Sequence, residues 1–248
     1  MQQNDIFNRL QKFLYETEGD LHILEERVPV DVQMEYFNYS GQLRKSLPRL
    51  SEADCEEYLA RLRSPDLPAK RKKRLLSILA LSRQAKAYGI LKQYAGECEP
   101  ELNYWTYLAL MESRMTLASY LSDEKQIYIS TGLGGEGLRL RFFILLASSS
   151  DALFLDYQRQ VIERECAYSL SRENGKIERL TIREKHVELL VLLPIQTNLK
   201  SLLDRIISEC NQYGNFLSKN MTITNVKELN GEEIAKILQE HGNHQAGS

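Results

Sequence analysis

A glycine-rich stretch is the part of the sequence that comes closest to a known chemical motif. Gly132, Gly134 and Gly137 satisfy the spacing G-x-G-x-x-G within residues 131–137. Such loops can hold phosphate because no Cβ keeps the ligand away from the backbone N–H groups. A dinucleotide site also needs the loop to open a helix, whereas here the apolar run 138–147, predicted as a strand, follows directly. The kinase motifs VAIK, HRD and DFG and the P-loop G-K-[ST] are absent as well.

Two interpretations of this loop stay open. In one, the glycines provide positive φ angles in a mobile hairpin loop. In the other, the loop closes over a small anionic ligand or nucleotide, and the ligand-binding residues are Thr131, Gly132, Gly134, Gly135, Gly137, Arg139 and Arg141. Arg139 and Arg141 alternate onto one face of the predicted strand. Their convergence on the loop favours a ligand site, whereas pairing with Glu178 or Glu184 across the sheet favours a structural role.

A run of five cations at residues 70–74 is the second candidate. Its predicted partner-binding residues are Lys70, Arg71, Lys73 and Arg74. On a helix, five successive residues spread over most of the circumference while the following leucines must face inward, so a solvated helix face is the plain alternative. The formal net charge of -2 and the lack of interleaved aromatic residues argue against nucleic acid as the partner.

No catalytic centre or metal site can be assembled from the sequence. His241 and His244 lie in the glycine-containing end HGNHQAGS, and His186 is predicted at a hairpin turn. No Cys–His or Ser–His–Asp arrangement is recognisable from spacing alone. Trp105 lies on the inner stripe of a predicted helix and is expected in the core. We therefore predict no cofactor and no bound metal, and we favour a non-enzymatic role while leaving an enzyme open.

Composition places the chain among ordinary globular proteins. Its 248 residues are 43% hydrophobic and 27% charged, which suits one or two domains. The N-terminus MQQNDIFNRLQKFL lacks the features of a signal peptide. The longest apolar run, near 142–147, is far shorter than the roughly 18 residues that span a bilayer. Four widely spaced cysteines without C-x-x-C complete the expectation of a reduced, cytoplasmic protein with no membrane segment.

The first half of the chain has the apolar period of helices. The predicted helices cover an amphipathic segment at 6–14, then about 31–45, a stretch starting at 51, and about 68–81, 84–95 and 100–121. Pro68 and Pro100 lie 32 residues apart, and each opens an apolar-striped helix after an acidic residue and a tight turn. A helical unit that repeats at such a period is typical of an α-solenoid.

One stretch of this half resembles HEAT repeats. It is SPDLPAKRKKRLLSILALSRQAKAYGILKQYAGECEPELNYWTYLAL, residues 64–110, with a Pro/Asp turn, basic residues in the first turns of a helix and Leu/Ala on its inner face. The resemblance covers under two repeats and the N-terminal half only. It implies a helical segment that presents a groove to a partner.

The second half alternates strands and helices. From residue 139 onward the predicted order is β-α-β-β-α-β, the ferredoxin-like arrangement. The aliphatic runs Phe142–Leu146 and Leu189–Leu193 fit its central strands, and the more polar runs Ile177–Arg183 and Met221–Val226 fit its edges.

The predicted fold class is therefore α+β, an all-helical HEAT-like segment followed by a ferredoxin-like βαββαβ sandwich. An extra N-terminal strand at 127–130 is expected to pair as a hairpin with 139–147. The predicted domains are 1–125 and 126–240, with a flexible tail at 241–248.

Two hypotheses of function follow. The first is a non-enzymatic protein-interaction or scaffold module, in which the helices bind a protein partner and the sheet could support a homodimer. The second is a small-ligand or nucleotide sensor that uses the loop at 131–137.

Overall fold

The computed structural model describes residues 20–122, 126–150 and 152–245, the last five of these by their backbone alone. The predicted amphipathic helix at 6–14 lies outside the described residues. The helices are α1 (Val30–Leu43), α2 (Glu52–Leu62), α3 (Ala69–Leu81), α4 (Ala85–Ala95), α5 (Asn103–Ser122), α6 (Asp156–Arg172), α7 (Leu199–Asn211) and α8 (Gly231–Gln245). The strands are β1 (Asp20–Ile23), β2 (Gln126–Ile129), β3 (Gly135–Glu136), β4 (Arg139–Ser148), β5 (Lys176–Ile182), β6 (His186–Pro194) and β7 (Leu217–Thr224).

The described chain forms two compact units. The helical unit contains residues 20–24, 28–122 and 126–129, and the sheet unit contains residues 25–27, 130–150 and 152–245. The α+β class, with a helical N-terminal half and a sheet in the C-terminal half, is confirmed.

Local signals in the sequence set the helix starts in the helical unit. Ser51 and Asp54 form a capping box at α2, in which each side chain bonds to the other residue's backbone N–H. Pro68 precedes α3, where its missing N–H leaves no helical bond unmade. Pro100 opens a short 3-10 turn that leads into α5. Each start therefore coincides with a residue that favours helix initiation.

The helices share a large apolar core that includes Trp105. The indole packs edge-on against Tyr36, with 5.1 Å between ring centroids, and against Tyr39 at 5.7 Å. Edge-to-face aromatic pairs at these distances add to the stability that burial alone provides. The prediction that Trp105 belongs to the core is confirmed.

A buried carboxylate joins α1 to α5 inside this core. Glu112 is 4% exposed and accepts hydrogen bonds from the Tyr36 hydroxyl at 2.7 Å, from the Ser40 hydroxyl and from Arg44. Burial, and then the Glu112 carboxylate, raise the pKa of Tyr36 well above its usual value. Tyr36 therefore remains a neutral donor to the carboxylate at ordinary pH.

The strand predicted at 127–130 corresponds to β2, and its predicted hairpin with 139–147 is wrong. β2 pairs in parallel with β1, in a two-stranded sheet of the helical unit. The rings of His22 and Tyr128 stack at 4.8 Å across this pair, and His22 bonds to Gln126. The hairpin position beside the start of β4 is occupied by the two-residue strand β3.

The sheet unit is built on an antiparallel sheet. β4 and β6 are central, β5 lies beyond β6, and β3 and β7 both pair with β4. The central strands contain the two most apolar runs of the chain, because a central strand is buried along its length. On one face, Ile234 of α8 packs on Phe143, Leu145 and Leu190.

Two boundaries in this unit differ from those predicted. The N-cap signal Ser148-Ser149-Ser150-Asp151 predicts a helix start near residue 152, whereas α6 starts at Asp156. The Phe154 N–H donates to the Glu184 carbonyl, and the Leu155 N–H donates to the Gln158 side chain. The backbone of α8 continues to Gln245, so residues 241–245 of the predicted flexible tail are helical. Residues 246–248 lie outside the described residues. Within the described ranges, no helix combines the length and apolarity that a membrane crossing requires.

We predict that Glu112→Leu destabilises the protein by about 3 kcal/mol, because the buried hydroxyls of Tyr36 and Ser40 lose their acceptor. The midpoint of urea unfolding measures this loss. Glu101→Leu is the matched control, because the same substitution at an exposed glutamate of the helical unit is expected to change the free energy of unfolding by about 0.5 kcal/mol or less. Equal, small losses in the two variants would contradict a structural role for the buried carboxylate.

Candidate partner-binding site

The five cations at the start of α3 point in different directions, and Lys72 points into the protein. Its side chain is nearly buried and forms an ion pair with Glu99. The Tyr94 hydroxyl donates to the same carboxylate at 2.7 Å. The hydrogen bonds from Lys72 and Tyr94 lower the pKa of Glu99 to about 2. Lys72 is thus committed to the fold and is unavailable to a partner.

Lys73 lies over the indole of the helical core. Its Nζ is 4.4 Å from the centroid of Trp105 and 3.0 Å from a carboxylate oxygen of Glu35. The Trp105 Nε1–H donates to the Lys73 carbonyl and to the Ser77 hydroxyl, both at 3.1 Å. These hydrogen bonds hold α3 against α5 at Lys73 and Ser77.

A shallow cavity opens beside this contact, among α1, α3 and α5. Its volume is about 290 Å³. The lining residues are Glu35, Tyr39, Ala69, Lys70, Lys73 and Trp105. We use the name basic groove for this cavity together with Arg71 and Arg74, the exposed cations that neighbour Lys70 on α3. Sites for small-molecule ligands usually measure roughly 300–1,000 Å³, so the volume of this cavity lies at the small end of that range.

Lys70, Arg71 and Arg74 are exposed around the basic groove. None of the three forms an ion pair within the described part of the chain. The first turn of α3 contains no acidic residue. Cations at a helix N-terminus oppose the helix dipole, and like charges one turn apart repel, so the arrangement costs stability.

The glycine-rich loop is covered by other parts of the protein, whereas an anion site needs open space beside the loop. Residues 131–135 are buried. A Cβ on Gly132 would lie 1.8 Å from the Val226 carbonyl oxygen, and one on Gly134 would lie 2.3 Å from that of Glu25. Gly134 also has a φ of 66°, a conformation that favours glycine. The space where a phosphate would approach these two glycines is filled by the protein's own backbone.

The remaining predicted ligand residues also contact the protein itself. The Thr131 hydroxyl donates to the Gly134 carbonyl at 3.2 Å, and the Gly135 N–H donates to the Glu25 carbonyl. Gly137 lies in open space with a φ of 58°, and its N–H donates to the Glu25 carboxylate at 3.3 Å. These bonds hold the loop on the segment at 25–27.

The two arginines after the loop do not converge on an open site. Arg141 forms a bidentate pair with Glu178, at 2.5 and 2.9 Å, and also donates to the Leu133 carbonyl at 2.6 Å. Arg139 is partly exposed and lies opposite Glu136 in the β3–β4 pair. The pairing of Arg141 with Glu178 is the arrangement expected of a structural residue.

Two parts of the basic groove are not evident in the sequence. Glu35 and Tyr39 come from α1, more than 30 residues before Lys73, and no local pattern connects them. Their spacing of four residues, which places both on one side of a helix, is the one available signal. Metal-binding clusters of three or more His, Cys, Asp or Glu residues do not occur in the described part of the chain.

Comparisons with known proteins give distant likenesses to solved structures. No family model and no curated protein matches the chain. A candidate transposase from Deinococcus radiodurans is 12% identical, with a TM-score of 0.35 over 44% of this chain and 93% of the other. The REP-associated tyrosine transposase bound to a REP hairpin is 11% identical, with a TM-score of 0.32 over 43% and 68%. A C-terminal segment of the aIF2 α subunit from Pyrococcus abyssi is 10% identical, with a TM-score of 0.27 over 79% and 98%. At these scores the likenesses support no inference about this chain's function.

We predict that Gly132→Ala destabilises the protein by about 3 kcal/mol, because its Cβ has no room beside the Val226 carbonyl. Gly137→Ala is the control in the same loop, since its positive φ should cost about 1 kcal/mol without a clash. Urea unfolding of both variants measures the difference. Equal effects at the two positions would indicate a loosely packed loop and contradict the structural role.

Proposed function

We propose that the protein is a non-enzymatic protein-interaction module whose helical unit binds a protein partner at the basic groove. The observation that carries the proposal is the set of exposed cations at Lys70, Arg71 and Arg74, which have no counter-ion among the residues that the structure describes. At these positions the three cations lower the stability of the fold. We therefore attribute their presence to a function other than folding, namely binding. A partner's acidic groups would provide the missing counter-ions.

The burial of the neighbouring charges supports this proposal. Lys72 and Glu112 are almost completely buried, and each has charged or hydroxyl partners. The helical unit thus pairs the charges that it buries, and it leaves three of its exposed cations together on one surface. Arginine is also among the residues that most often dominate the binding energy of protein interfaces.

We also propose that the helical unit is HEAT-like and that the sheet unit is ferredoxin-like, as the sequence predicts. α3 contacts α5 while α2 contacts α4, an alternation that supports a HEAT-like, two-layer stack of helices. The antiparallel strand order β7-β4-β6-β5 supports a ferredoxin-like topology for the sheet unit. The four free cysteines support a reducing, cytoplasmic environment.

Site-specific photo-crosslinking in cells of the source organism tests the proposal. A photoreactive amino acid at Ala69, which lines the basic groove, is expected to give discrete adducts with a partner protein. The same amino acid at the exposed Gln93 of α4 is the control and is expected to give none of these adducts. In the Lys70→Ala, Arg71→Ala, Arg74→Ala triple variant, the adducts at position 69 should fall about tenfold.

The triple variant also has an expected stability. Because the replaced cations repel one another and oppose the helix dipole, its free energy of unfolding should be unchanged or about 1 kcal/mol higher. Loss of adducts without loss of stability would support binding. Identical adducts from positions 69 and 93, or adducts that persist in the triple variant, would contradict it.

A further inference from the structure

The charges and the shape of the basic groove specify the chemistry of its occupant. Resting on the proposed function, we propose that the partner presents an extended acidic segment with one apolar or aromatic anchor side chain, and that Glu35 competes with this segment for Lys73. The segment's carboxylates would face α3, and its anchor would enter the cavity beside Trp105.

The spacing of the cations suits an extended chain. Lys70 and Arg74 are one turn apart on α3, a separation of about 6 Å along the helix. In an extended segment, side chains on the same face repeat at roughly 6.6–6.8 Å. Carboxylates at alternate positions of such a segment can therefore approach Lys70 and Arg74 together, with Arg71 beside them.

The cavity provides a place for one anchor side chain. Its lining includes the aromatic residues Tyr39 and Trp105 and the small Ala69, together with Lys73 and Glu35, which form an ion pair. A volume of about 290 Å³ admits one leucine-sized or phenylalanine-sized group. A bound anchor would supply the apolar contact that surface ion pairs lack, since exposed ion pairs alone contribute little.

Glu35 is the residue that distinguishes this proposal from simple attraction to a basic patch. Its side chain is 59% exposed, while that of Lys73 is 30% exposed, so the pair can open without disturbing the core. A partner carboxylate that approaches Lys73 must displace Glu35 and is repelled by it. Removing the charge of Glu35 is therefore expected to strengthen acidic binding, although the substitution removes an ion pair from the protein.

Fluorescence anisotropy with defined peptides and the full-length protein tests this proposal. The probe is a labelled ten-residue peptide with glutamates at alternate positions around one central phenylalanine. The matched probes replace every glutamate by glutamine, or the phenylalanine by serine. The protein variants are Glu35→Gln, the double variant Lys70→Ala, Arg74→Ala, and the control Glu101→Gln, an exposed glutamate outside the groove.

The expected change in affinity for the acidic peptide differs in direction among the variants. Glu35→Gln should bind the acidic peptide about two- to fivefold more tightly, the factor that one exposed ion pair is worth. The double variant should bind about fivefold or more weakly, and Glu101→Gln should match the wild type. The glutamine and serine peptides should each bind about tenfold more weakly than the acidic probe. Raising salt from 50 to 300 mM should weaken acidic binding, because exposed charges are screened.

Several results would overturn the proposal. If Glu35→Gln bound the acidic peptide as well as the wild type or more weakly, Glu35 would not be a competitor for Lys73. If the glutamine peptide bound as tightly as the acidic peptide, the partner segment would not need to be acidic. Tighter binding of a single-stranded oligonucleotide than of the acidic peptide would assign the groove to nucleic acid. Photo-crosslinks at position 69 that persist while all peptides fail would retain the interaction module with a partner of different chemistry.

Discussion

The contact between Trp105 and the first turns of α3 is the interaction on which the helical unit depends. Its indole N–H donates to the Lys73 carbonyl and the Ser77 hydroxyl, and its ring packs against Tyr36 and Tyr39. One side chain thereby joins α1, α3 and α5. Since the same ring forms part of the wall of the basic groove, the residue that stabilises the core also shapes the candidate site.

The basic run of α3 shows how one short sequence serves both folding and binding. Lys72 turns inward, where Glu99 neutralises it and Tyr94 completes the hydrogen bonding. Lys70, Arg71 and Arg74 turn outward, because successive residues on a helix are 100° apart. A buried charge without a partner would cost several kcal/mol, whereas exposed cations cost only tenths to about 1 kcal/mol each. Because of this difference, the chain tolerates unpaired cations on the surface of α3, whereas the buried Lys72 is paired with Glu99.

The sequence predicts the elements better than their long-range pairing. The starts of α2 and α3 follow from Ser51 and Pro68, and the central positions of β4 and β6 follow from their continuous apolar runs. These are local properties of composition and period. The parallel pairing of β1 with β2 joins residues about 100 positions apart, so no local pattern reveals it.

For both the glycine-rich loop and the basic groove, the sequence shows the residues but not the long-range contacts that determine their roles. The glycines at 132 and 134 are required by close approach of Val226 and Glu25, which are distant in sequence. A motif search finds the glycines but not the backbone that makes them necessary. In the groove, the cations are visible in the sequence as a run, whereas the ion pair of Lys73 with Glu35 depends on how α1 packs.

Trp105 is the only tryptophan of the chain, so its fluorescence tests the central claim most directly. A partner segment in the basic groove would draw the Lys73 ammonium away from the indole and place new groups beside the ring. Titration of the full-length protein with the acidic, phenylalanine-containing peptide should therefore give a saturable change in Trp105 emission, with the same midpoint as the anisotropy. Unchanged emission when the peptide is fully bound would show that it binds elsewhere, and would contradict the groove as the partner-binding site.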